Sequence, residues 1–422
     1  MIRQTFIATL VALLCIPAVA DDYHYREALI GERAAGLGGA YIAVADDPSG
    51  IWYNPAGIMF SFENYFSLSA NVYNVTKEVF KSTIAGQDYT YTSSGLVPSF
   101  FGFTQNYGKS KWGFAIIVYN DDRIDQSDEI TNISTGVGKP NTLSRKFYQQ
   151  NTSTAVGVAW ASEVFKNFTW GISTFGIYKS NRIIDNQLIL YNTDAATKQR
   201  FLISNANLDI GILSLMPKLG FQWMPIKDFS VGATLSKKLP ISGNMKIKRY
   251  QNATTATGTP ADLTGTLATD LPSSSISTTT KDISPLELGM GLSYFPNPAV
   301  LTSFDLVYYS ADTSSDFAAQ STINISAGLE YFTSEKSALR LGFFTNNSNT
   351  PKLTQGSTDQ RPHVDVYNLT LGYSLSSEGS TFSLGTSLGS GKGQGQAIGG
   401  STEIQTIERT NMAFFLTGSY QM

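Results

Sequence analysis

From residue 62 onward the chain repeats one pattern, a run of roughly ten residues with apolar side chains at every second position, followed by a turn. In the run 287–294, Leu288, Met290, Leu292 and Tyr294 share one parity, while Glu287, Gly289, Gly291 and Ser293 share the other. A period of two means a strand with unlike faces, here one suited to lipid and one to water. Ending the runs at Gly, Pro, Asn and Asp gives fourteen strands, near 64–75, 98–107, 111–120, 146–162, 168–181, 204–224, 229–249, 283–295, 299–310, 321–333, 337–345, 363–376, 381–390 and 404–420. Tight connections such as Gly108-Lys109-Ser110, Pro296-Asn297-Pro298 and Ser334-Glu335-Lys336 alternate with long ones, among them 76–97, 121–145, 182–203 and 250–282. Loops sorted by side in this way suit a barrel with short periplasmic turns and longer outer loops. The expected fold is all-β, a fourteen-stranded antiparallel transmembrane β-barrel.

The two faces differ in chemistry as well as period. Phe304, Leu306 and Tyr308, or Tyr367, Leu369, Leu371 and Tyr373, place aromatics at the ends of a short aliphatic band, as at two membrane interfaces. The opposite face carries Thr322, Asn324, Ser326 and Gly328, small residues that leave room inside. Mid-strand charges at Asp209, Lys218, Glu287, Asp305, Glu330 and Arg340 are expected to point inward, because a charge facing lipid is expensive. Strand six departs from the pattern: Leu208, Ile210 and Ile212 have one parity, Leu215, Leu219, Phe221 and Trp223 the other. If all of them face outward, one residue is extra, and a wall kink is expected at Leu213, Ser214 and Pro217. The final run, with Met412, Phe414, Leu416, Tyr420 and Met422 in phase, suits recognition by barrel-insertion machinery.

Composition narrows the class. A mean hydropathy of -0.08 is too polar for a bundle of membrane helices. A net charge of -3 without basic clusters argues against a nucleic-acid partner. Residues 1–20 carry Arg3, an apolar stretch from Phe6 to Ile16 and Ala18-Val19-Ala20, the anatomy of a secretory signal peptide. Cys15, the only cysteine, lies within it, so disulfide and thiol chemistry are not expected in the exported chain. His24 and His363 lack a second ligand nearby in sequence, Gly389-Ser390-Gly391-Lys392-Gly393 lacks the pattern of a phosphate loop, and no nucleophile, base and acid can be assembled. The expectation is a protein that is not an enzyme, with no metal and no cofactor.

Fourteen strands enclose a lumen intermediate between the filled bore of small barrels and the channel of porins, so something should occupy it. Residues 21–61 are the sizeable unassigned segment, rich in Ala and Gly between Ala34 and Ala45. The stretch GERAAGLGGAYIAVADDPSGIWYNPAGI, at 31–58, resembles the N-terminal hatch of the FadL family of outer-membrane long-chain fatty-acid and hydrocarbon transporters, with Asn54-Pro55-Ala56 at the family's hatch motif after Ala45-Asp46-Asp47. The resemblance implies three parts: signal peptide 1–20, hatch (plug) 21–61 inside the lumen, and barrel 62–422. It also implies passive transport of hydrophobic molecules, fatty acids or similar lipids and hydrocarbons, with Asn54, Pro55 and Ala56 in the gate and a kinked strand opening the wall sideways. Ile183, Ile184, Leu188, Ile189 and Leu190, in the expected loop between strands five and six, offer a capture platform. Expected partners are a hydrophobic small molecule and membrane lipid, the location is the bacterial outer membrane, and the working unit is a monomer. The same motif also resembles barrels that act as protein-secretion shuttles or surface adaptors, whose lumen need conduct nothing.

Overall fold

The computed structural model describes residues 23–26, 29–137, 139–193, 200–253, 271–315, 317–358, 360–397 and 402–421; the signal segment expected at 1–20 lies outside them. Two short helices, α1 (Glu32–Gly36) and α2 (Gly50–Tyr53), and a 3-10 helix (Pro55–Phe60) precede the strands. These are β1 (Asn64–Ile84), β2 (Gln87–Tyr107), β3 (Ser110–Ile130), β4 (Pro140–Phe165), β5 (Phe168–Tyr191), β6 (Phe201–Ile226), β7 (Phe229–Lys237), β8 (Leu239–Ala253), β9 (Leu271–Thr279), β10 (Leu286–Asn297), β11 (Val300–Tyr309), β12 (Thr322–Ser334), β13 (Ser337–Asn346), β14 (His363–Ser377), β15 (Ser380–Gly395) and β16 (Gln405–Gln421). Antiparallel pairing runs from β1 through β7, continues from β10 to β16, and closes where β16 meets β1. The closed cylinder therefore has the expected fourteen strands.

β8 and β9 are a branch. The path of β7 breaks at Lys238, and β8 follows the outer half of β6 while β10 pairs with β7 alone, from Leu286↔Lys237 to Tyr294↔Phe229. β9 hairpins onto the far side of β8. The sheet thus forks beyond Lys237 and Leu286, and the irregular connector 280–285 crosses the fork.

Wall height is uneven. β10, β11 and β13 have 12, 10 and 10 residues, close to what a bilayer needs, whereas β4 and β6 have 26. Much of what resembles long loops in the sequence is strand: β1 and β2 are joined only by Ala85 and Gly86, both at positive φ as a tight twisted hairpin requires. Ile183, Ile184, Leu188, Ile189 and Leu190 likewise lie in β5, so the expected loop platform is a strand segment, with Ile183 buried in the lumen.

Strand six needs a second correction. β6 pairs with β5 from Phe168↔Trp223 to Leu190↔Phe201 at constant register. Leu208, Ile210 and Ile212 are buried and face the lumen; Leu213, Leu215, Phe221 and Trp223 face out. There is no extra residue: the outer lumen is itself apolar, and its lining mimics a lipid-facing row. The irregularity lies in the neighbouring strand, where Ile241 is skipped as Leu213↔Ser242 gives way to Ser214↔Pro240. Pro240 has no N–H for a ladder bond. Of the mid-strand charges, Lys218, Asp305, Glu330 and Arg340 are buried inside, but Asp209 points out and meets Arg182 on the tall part of the wall, both more than half exposed.

Candidate functional site

Residues 23–26 and 29–61 sit inside the cylinder without contributing a strand among those described, and most of the bonds that hold them to the wall involve side chains. α1 is short because Gly38 and Gly39 follow at φ of 63° and 72°, a left-handed exit that residues with a Cβ rarely take. The absence of a side chain also lets the turn press on the wall, with Phe343 N and the Gly342 backbone near where a Cβ of Gly38 would lie. Bulkier residues would not fit.

Asn54 and its successors form the tightest seat. The Asn54 side chain is fully buried; Nδ2 donates to Ile42 O at 2.8 Å within the hatch and to Phe221 O of β6 at 3.0 Å, and Oδ1 accepts from Ala56 N at 3.1 Å. It therefore caps the 3-10 helix, ties two hatch turns together and docks them on the wall. Pro55 at the first helical position has the fixed φ that a helix start favours. Ala56 O accepts from Thr169 Oγ1 at 3.0 Å, and Gln222 Nε2 donates to Ala43 O at 2.8 Å. Gly171 and Gly220, directly paired across β5 and β6, make the space: a Cβ on Gly220 would lie 2.1 Å from Asn54 Oδ1, and one on Gly171 2.6 Å from the Pro55 carbonyl carbon. Gly220→Val is accordingly expected to leave the barrel closed but expose the hatch, seen as faster cleavage within 40–58 by added protease at unchanged barrel heat-modifiability on a gel.

A buried ionic chain secures the other side. Glu330 of β12 accepts from Arg340 Nε of β13 at 2.7 Å and from Arg33 Nε of α1 at 2.8 Å. Arg33 continues to Asp46, and Arg340 to Glu32 at 3.2 Å; Glu32 also accepts from Ser383 at 2.6 Å and Ser419 at 3.0 Å. Asp305 of β11 accepts the backbone N–H groups of Tyr41 at 2.6 Å and Ile42 at 2.9 Å.

Asp47 lies between these anchors. Burial pushes its carboxyl up to about 6, although Ser49 donates to it through both N–H and hydroxyl. A carboxyl that holds its proton more tightly when docked than when released favours docking most below pH 4, and that contribution is lost as pH rises through 6. Hatch protection factors from hydrogen exchange should fall from pH 4 to pH 7 in the native protein, by on the order of 3 kcal/mol at most, and Asp47→Asn should flatten that slope.

Above the hatch the lumen turns apolar. Ile51, Ile58, Phe100, Ile117, Phe175, Ile177 and Met216 form one cluster at hatch level, and Phe147, Ile183, Leu208, Ile210, Ile212, Val364 and Ile407 a second one farther out. Trp52 of α2 is the floor between them, with ring centres 5.1 Å from Phe175 and 5.5 Å from Tyr119. Arg145 is a buried cation against the outer cluster, and Asp185 grips it through two bonds of 2.9 and 2.7 Å while Tyr91 accepts a third at 2.6 Å. A cavity of about 110 Å³ lies over Trp52, walled by Tyr119, Ile177, Met216, Ile283, Pro285 and Tyr309 on its apolar sides and by Lys179, Lys238, Asp282 and Glu287 where the sheet forks. Burial alone would raise the Asp282 carboxyl, but the ammonium groups of Lys179 and Lys238 hold it below the usual carboxylate range.

No protein-family model and no curated protein matches this chain. Solved structures do. The P. putida toluene transporter TodX superposes with a TM-score of 0.65 at 13% identity, covering 94% of this chain and 99% of that one. A Pseudomonas aeruginosa FadL homologue gives 0.62 at 12% over 97% and 99%, and the Ralstonia pickettii toluene transporter TbuX 0.59 at 13% over 94% and 99%. The fold is that of the FadL-type barrels. At such identities the FadL-type likeness speaks for architecture, so the roles of individual residues rest on the geometry above.

The structure brings Asn54, Pro55 and Ala56 together at the wall of β5 and β6. Leu213, Ser214 and Pro217 are placed in a regular strand beside the break at Lys238 to Pro240. The strand-six aliphatics and Ile183 line the outer lumen instead of an outer surface. Sequence reading missed the receiving glycines, Gln222 and the Lys179, Lys238 and Asp282 cluster. The inward phase of Gly171 and Gly220, and Lys237-Lys238 running into Pro240, were the available signals.

Proposed function

We propose that this protein is a passive channel of the bacterial outer membrane, working as a single barrel and not as an enzyme, that carries hydrophobic molecules past a hatch. Long-chain fatty acids or similar lipids and hydrocarbons are the substrate class. The observation that carries the reading is a cavity, apolar on one side and charged where the sheet forks, resting directly on Trp52 of a hatch that shares no strand with the barrel among the described residues. The names of the three similar barrels point the same way. Burying a methylene contributes about 0.8 kcal/mol, so a sixteen-carbon chain gains on the order of ten in a dry lumen without any coupled energy source. Leaving is then the slow step, and a rearranging Asn54-Pro55-Ala56 seat would supply it by lowering the floor of the cavity. A secretion adaptor would have no use for a cavity over a detachable plug, which favours the channel.

Proteoliposomes test this reading. Purified protein should speed entry of hexadecanoate or toluene over protein-free vesicles, and Asn54 variants should change the rate; entry no faster than in empty vesicles for both compounds would end it.

A further inference from the structure

The cluster at the fork has an arrangement that neither wall stability nor the hatch explains. Lys238 Nζ lies 2.6 Å from Asp282 Oδ2, and Lys179 Nζ 3.6 Å from Asp282 Oδ1, so two ammonium groups, one from a strand and one from a strand break, converge on the two oxygens of one carboxylate. The carboxylate is buried, and it is borne by the irregular connector 280–285 and not by a barrel strand. Lys179 stands on β5, paired with Ile212 of β6 beside the fork, and Lys238 stands at the break between β7 and β8. Asp282 therefore ties β5 to the break beyond β7, bridging over β6 at the edge of the cavity. The connector is also held by Ser284 N donating to Asp312 Oδ2 at 2.7 Å, Ser284 Oγ to Lys238 O, and Thr280 N to Gly243 O at 3.3 Å.

We infer that Asp282 is a resident surrogate for a ligand carboxylate, seated between Lys179 and Lys238, and that an anionic amphiphile taking this seat frees the connector and opens the fork. The inference rests on the proposed channel and adds to it a headgroup chemistry and a trigger. Its physical basis is an even exchange: one carboxylate leaves two buried ammonium groups as another arrives, so the Coulombic term that holds the pair is conserved. The acyl chain then decides the outcome, since it gains burial along Ile177, Met216 and Tyr309 while Asp282 gains water. An uncharged ligand of the same length has nothing to offer the two lysines. It would fill the cavity without moving the connector. Glu287 does not compete for the seat, because it pairs with Lys218 at 2.9 Å.

The experiment compares hexadecanoate with hexadecan-1-ol on the full-length protein in detergent, reading Kd by displacement of a fluorescent amphiphile and following 280–286 by hydrogen exchange. Hexadecanoate should speed exchange of the connector in the native protein, and hexadecan-1-ol should not. Asp282→Asn should tighten hexadecanoate about tenfold and leave the alcohol unchanged, whereas Lys179→Gln or Lys238→Gln should weaken hexadecanoate by a similar factor relative to the alcohol. Barrel heat-modifiability checks that each variant is folded, and the ratio of the two ligands within one variant cancels any general loss of the cavity. Equal binding of both ligands with no dependence on Asp282 overturns this inference and leaves the channel standing; failure of both ligands to bind overturns the two together.

Discussion

Asn54→Ala is expected to free the hatch while leaving the cylinder intact. The side chain makes three bonds in a site without water access, and its loss strands the Ile42 and Phe221 carbonyls and the Ala56 N–H. An unmet buried group costs about 1–3 kcal/mol, so the docked state should lose about 3 kcal/mol or more, a hundredfold rise in the undocked population. Hydrogen exchange at 42–58 should accelerate accordingly, and planar bilayers should register more ion conductance than with the native protein. Pro55→Ala is the control: it keeps all three bonds and loosens only the helix start, so protection should drop by less than about tenfold. Protection of Asn54→Ala equal to that of the native protein would remove Asn54 from any gating role.

Glu330→Ala should do comparable damage from the other side. Glu330 is fully buried between Arg33 and Arg340, and it stands directly across from Arg340 in the β12 and β13 ladder. Removing it leaves two guanidinium groups with Asp46 and Glu32 as their remaining partners, and breaking a buried pair typically destabilises by about 3–5 kcal/mol. The temperature at which the barrel loses its heat-modifiable mobility should fall, and α1 should become protease-sensitive. Asp46→Ala removes a carboxylate whose side chain is one-third exposed, so its effect should stay well below that of Glu330→Ala. Were the two variants equally mild, the chain from Glu32 to Asp46 would be ornament on a hatch held by the Asn54 seat alone.

The periodic pattern located every strand of the cylinder at the end that carries the short turns, because there the outward face is apolar and the inward face is not. Farther out both faces meet water or protein, and the contrast fades: Lys77, Glu78 and Lys81 resemble loop residues yet lie in β1. β6 inverts the contrast altogether, since Leu208, Ile210 and Ile212 are apolar and face inward. At the hatch, Asn54-Pro55-Ala56 stood out in the sequence by motif. Gly171 and Gly220 did not, because an inward glycine in a strand resembles empty space until something is seen to fill it. The cluster of Lys179, Lys238 and Asp282 joins three elements far apart in the chain, one of them a connector without period. Local patterns carry no information about such a meeting.

The contacts of Glu32 bear on how the molecule is assembled. This residue belongs to α1, the first helix among the described residues, yet it is gripped by Arg340, Ser383 and Ser419 of β13, β15 and β16. Its berth does not exist until the final strand, β16, has joined β15. The plug's moorings are spread from β5 to β16, so although it precedes the wall in the chain its seat is complete only when the last of those strands is in place.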